Sequence, residues 1–154
     1  MKVHKLIIWA YFVELLAAGL VTYVCVLIFG VPQMAEFSRK VSINAATMLS
    51  VAMLAASLGI LGVMMQRMDS KFYRWLESKK ALDNYLRAFS YVAILSVISV
   101  VTTLILSHYS SSDWLALLAF SVLVLLLINS ITLIRNIVSF VRLEALFNNK
   151  IRDA

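Results

Sequence analysis

One acid, Glu14, stands inside an otherwise uncharged apolar run that extends from about residue 6 to residue 30. An ionised carboxylate surrounded by lipid costs several kcal/mol, so this side chain has to face protein, water or a partner. No basic residue falls at a matching depth in another apolar run, which argues against a fixed salt bridge inside the membrane. Asn129, six residues before Arg135, stands at a comparable depth and could hydrogen-bond the acid. Glu14 is therefore a candidate cation site, proton-sensitive gate or pore constriction, and the alternative is a protonated acid that ties two helices together.

A second polar pattern is made of hydroxyls. Ser96, Ser99, Thr103 and Ser107 recur at helical spacing on one face, with Thr102 beside them and Ser50 and Ser57 on an earlier run. Such a stripe can line a narrow wet path. Alternatively, each hydroxyl bonds back to a carbonyl of its own helix. The same earlier run is dense in small residues. Ala52 and Ala56 stand four apart, as do Ala55 and Gly59, and Gly62 follows. That spacing lets another backbone approach closely, in this chain or in a second copy, and predicts that this helix is the central packing element.

Enzyme chemistry finds no support. His4 and His108 fall at opposite ends of the apolar runs, Cys25 has no second cysteine, and no HExxH, CxxC or GxSxG pattern occurs. No metal site or cofactor is expected.

The elements that position these residues follow from composition. The chain has 154 residues, 62% of them hydrophobic and only 14% charged, as suits a protein surrounded by lipid. A spanning helix needs about 20 mostly apolar residues. Four runs qualify, at about 6–30, 43–66, 88–107 and 114–134, and Pro32 falls in the first connection rather than inside any of them. Strand-like alternation is absent. The reading is an all-α integral membrane protein, a single domain of four transmembrane helices with amphipathic cytoplasmic helical extensions.

Charge orients it. Twelve of the fourteen Lys and Arg residues fall on one side if both termini are cytoplasmic, leaving Arg39 and Lys40 outside. The net charge of +6 then reflects topology and attraction to anionic lipid, and no nucleic-acid partner is expected. Trp9 and Tyr11 at one end, and Tyr109 and Trp114 at the other, suit the headgroup level. The connection 67–87 lacks Gly and Pro, and its apolar residues recur at helical spacing. With the tail 135–154 it forms a cytoplasmic platform, on which Phe72, Arg74, Trp75 and Leu76 are candidates for docking a protein partner.

With the helices placed, the stretch Asn44-Ala45-Ala46-Thr47-Met48-Leu49, the Ala-rich run to Gly62 and the charged segment through Phe72, Trp75 and Leu76 resemble small four-helix membrane subunits of bacterial anti-phage systems, of the RexB and Kiwa membrane-component kind. The resemblance covers about half the chain. It implies a bacterial inner-membrane protein, homo-oligomeric, that senses infection or depolarises the membrane as an ion-conducting effector. Two other functions compete with it: a non-conducting scaffold that anchors a cytoplasmic partner, and a small-solute transporter.

Overall fold

A computed structural model describes the backbone of residues 2–109 and 111–152, and the side-chain surroundings of residues 11–41, 43–109 and 111–149. Lys2, His4, Lys5, Trp9, Lys150 and Arg152, which entered the sequence argument, lie outside the described side chains. The described chain is helical throughout, with four helices long and apolar enough to cross a membrane. Helix α1 is Lys2–Phe29 and α2 is Val31–Val41. A single π turn, Ser42–Ala46, leads into α3, Thr47–Gln66. The short α4, Lys71–Ser78, precedes α5, Leu82–His108, and α6, Asp113–Arg152, ends the described chain.

Lipid offers the backbone no hydrogen bonds, so each crossing segment satisfies its own as a helix. The breaks fall where the backbone leaves that geometry. Gly30 ends α1 with φ of 82°, a left-handed conformation that costs a residue with a Cβ about 1–2 kcal/mol. A Cβ there would meet only Pro32, at 3.9 Å, so the cost is in the backbone rather than in a clash. Gly30→Ala is expected to lower stability by about 1 kcal/mol in a detergent unfolding titration. Pro32 fits in the first turn of α2, where its missing N–H is not needed. This short outer helix, which the sequence reading treated as a connection, packs Met34, Ala35 and Ser38 against α6. The Ser38 hydroxyl donates to the Ala116 carbonyl, and Arg39 pairs with Asp113 at the start of α6.

The connection 67–87 is not one continuous helix. Ser70 caps α4, its hydroxyl accepting the Tyr73 N–H. At the other end Lys80 takes φ of 56°, the Lys80 N–H reaches the Glu77 carbonyl, and the Ala81 N–H reaches back to Leu76. These are the two bonds of a Schellman stop, usually made with glycine. Lys80→Gly is expected to raise stability by up to about 1 kcal/mol in the same titration.

Helix α5 occupies the centre, packed on α3 at one side and α6 at the other, while α1 lies against α6. Half of the α5 span is buried inside the chain, compared with 6% of the α1 span. This corrects the expectation that α3 is the central element. Helix α3 turns Ser50, Met53, Ser57 and Met64 toward the interior. Ala52, Ala55, Ala56 and Gly59 remain exposed, and Gly62 is half-buried. Small residues occur on most of the circumference of α3, so their spacing alone did not select the contact face.

The docking surface expected on α4 is also corrected. Phe72 and Leu76 are core residues that hold α4 against the extended end of α6. Trp75 is half-buried, its ring tilted against Phe147 with centroids 5.3 Å apart, and only Arg74 of the four is exposed. An amphipathic face looks the same in sequence whether its own chain or a partner covers it.

Candidate functional site: a polar cavity ending at Glu14

Helices α1, α5 and α6 separate at the end of the bundle that carries the basic residues and enclose a cavity of about 450 Å³. Its polar walls are Tyr11, Glu14, Asn84, Tyr85, Thr132 and Asn136. Along α5 it extends from the level of Ala81 to that of Ala88, about 10 Å at 1.5 Å per residue. Lys80, Arg87 and Arg135, each beside one of its lining residues in sequence, are exposed.

Glu14 is half-buried in this wall. Its Oε1 accepts the Thr132 hydroxyl at 3.0 Å, while Oε2 is buried and has no hydrogen-bond partner among the described residues. Asn129, at 1% exposure, donates to the Leu125 carbonyl at 2.9 Å and lies beside Tyr91. Tyr91 in turn stacks on Tyr11, with centroids 3.9 Å apart. Asn129 thus bonds back to its own helix, and Thr132, three residues on, is the donor to the acid. The sequence argument expected Asn129 in that role and did not name Thr132, because sequence does not set the rotation of α6 that brings Thr132 to face α1.

The hydroxyl stripe does not join this site. Ser96, Ser99 and Thr103 are buried, as are Ser50 and Ser57 of the neighbouring α3. Ser96 donates to the Val92 carbonyl at 2.8 Å, Thr103 to that of Ser99 at 3.0 Å, and Ser50 to that of Ala46. The Ser57 and Ser99 hydroxyls have no partner among the described residues. Ser107 is exposed and donates to the Leu104 carbonyl at 2.7 Å. Ser96, Ser99 and Thr103 thus lie buried on α5, which packs on α3, and small side chains let membrane helices approach closely. No cluster of three or more metal-ligating side chains occurs among the described residues.

The cavity thus offers phenols, carboxamides and a hydroxyl near a basic rim, with one carboxylate at depth, in a chain with four apolar helices. The voltage gated chloride channel family matches residues 3–143, which take in the first three candidate spans and most of the fourth. The chain belongs to that family. No curated protein and no solved structure matches it. Membership overturns the resemblance to anti-phage membrane subunits, which rested on the small-residue texture of α3 and on topology. Those features are shared by many four-helix bundles. As a member of a chloride channel family the chain is a multi-pass membrane protein, and ion conduction is the function that membership supports.

Proposed function

We propose that the chain conducts chloride or a similar small anion across a membrane, and that the cavity ending at Glu14 is the vestibule on the cytoplasmic side. The observation that carries this reading is the lining: Tyr11, Tyr85, Asn84 and Asn136, side chains that carry O–H or N–H donors, border one space. A partly dehydrated anion needs such donors, because they replace its water without binding it as tightly as a fixed cation would. The exposed Lys80, Arg87 and Arg135 raise the local anion concentration at the mouth. The excess of basic residues at this end favours a cytoplasmic orientation.

Glu14 then acts as a charge barrier. Its carboxylate, which accepts from Thr132, repels an anion arriving from the vestibule. The cavity is about 10 Å long along α5, shorter than the hydrocarbon thickness of about 30 Å.

Purified protein in liposomes loaded with potassium chloride provides the test. With valinomycin carrying the counter-charge, protein-dependent chloride efflux is expected, and without it efflux is expected to be small. A chain that leaves efflux at the level of empty liposomes, with its helical circular dichroism intact, is not an anion channel on its own.

A further inference from the structure

A second cavity, about 270 Å³, lies between α3, α4 and α6 at the same end of the molecule, and its chemistry differs from that of the vestibule. Its walls are apolar, with Phe89 of α5 and Ile137 and Phe140 of α6 among them. At roughly 30 Å³ per water it would hold about nine, but an apolar cavity does not retain water. The sides Val63 and Val141 are exposed, so the slot opens laterally between α3 and α6 to the surrounding lipid.

Two polar features stand at its end. The Tyr73 side chain is buried, at 1% exposure, yet its hydroxyl has no hydrogen-bond partner among the described residues. Burial pushes the phenol above its ordinary value, and nearby Glu144 adds to this, so the hydroxyl is a donor throughout the physiological range. At the rim, Arg67 follows the last residue of α3 and donates to Glu144 at 3.3 Å. That contact engages one of the five guanidinium donors. Gly59 lies eight residues earlier on α3, about 12 Å deeper, and a Cβ built there meets nothing within 4 Å.

We propose that this slot binds one anionic phospholipid of the adjoining leaflet, with an acyl chain in the apolar channel beside Gly59, an ester carbonyl on the Tyr73 hydroxyl and the phosphate on Arg67. The occupant follows from the complementarity of each part. An apolar channel open to the bilayer selects an acyl chain, an unpartnered buried donor selects a carbonyl, and a guanidinium at the headgroup level selects a phosphate. The exposed Lys71 and Arg74 of the adjacent α4 add to the attraction for a negatively charged headgroup. Gly59, expected from sequence to be a helix-packing residue, here leaves room for the lipid. The proposal does not depend on conduction.

Native mass spectrometry of the purified protein, titrated with phosphatidylglycerol or phosphatidylcholine of the same chain length, tests it. The wild type is expected to retain one phosphatidylglycerol per chain and to prefer it to phosphatidylcholine about tenfold. Gly59→Leu fills the slot without a backbone clash and is expected to lose that lipid while keeping its helical circular dichroism. Arg67→Gln is expected to abolish the preference between the two lipids, and Tyr73→Phe to weaken retention three- to tenfold. Glycerol phosphate alone, lacking the acyl chains, is expected not to compete. Equal lipid retention by the wild type and a folded Gly59→Leu variant would overturn the proposal, as would competition by glycerol phosphate at the lipid's own concentration.

Discussion

Glu14→Gln is expected to raise chloride flux through reconstituted protein ten- to hundredfold at neutral pH. The substitution preserves shape and leaves an oxygen to accept the Thr132 hydroxyl, so what changes is charge. At about 5 Å and an effective dielectric of 20, a unit negative charge raises the energy of an anion by roughly 3 kcal/mol, equivalent to about two orders of magnitude in rate. Water in the cavity mouth lowers this, which sets the bottom of the range. Stopped-flow chloride flux checks this. A folded variant that conducts no more than the wild type would remove Glu14 from the path and leave it a helix tie.

Phe72→Ala is expected to destabilise the protein by about 3–5 kcal/mol, the usual range for truncating a fully buried aromatic residue. Phe72 is 3% exposed and its ring meets Phe140 at 5.6 Å and Phe147 at 5.5 Å, both on the extension of α6. It also meets Tyr73 at 5.5 Å and Trp75 at 6.2 Å on its own helix. Removing the ring leaves a void where α4 meets that extension, and detachment of α4 should follow. Arg74→Ala, at an exposed position on the same helix, is expected to change stability by no more than about 0.5 kcal/mol. Unfolding titrations in mixed micelles, followed by tryptophan fluorescence, compare the two. If Phe72→Ala cost as little as Arg74→Ala, the aromatic cluster would not be what holds α4 in place.

Much of the site was legible before any coordinates. A carboxylate within an apolar run is conspicuous because lipid penalises it, and that penalty identified Glu14. Depth along a helix is a matter of counting residues, so the region of α6 facing it was found to within one turn. The choice between Asn129 and Thr132 required the rotation of α6, which depends on how α5 and α6 pack together. The vestibule residues Tyr11, Asn84, Tyr85 and Asn136 were missed as a set. They come from three helices, and the available signal was only that each is a polar residue near the basic end of its helix.

That four stretches are long and apolar enough to cross a membrane is a one-dimensional property, and the sequence by itself determined it. Hydrocarbon about 30 Å thick demands runs of about 20 apolar residues, and those runs can be counted without knowing their neighbours. The segregation of basic residues to one end is likewise a property of order along the chain. Only the tertiary structure decided which face of each helix meets another. It turned Ser50 and Ser57 of α3 toward α5 and left Ala52, Ala55 and Ala56 exposed, and it put Phe72 and Leu76 inside the chain. The physical reason is that all faces of a membrane helix are apolar. In water, the hydrophobic effect marks the buried face by composition. In lipid the faces are close in energy, and the contact is chosen by shape and by a few hydrogen bonds such as that of Thr132 to Glu14.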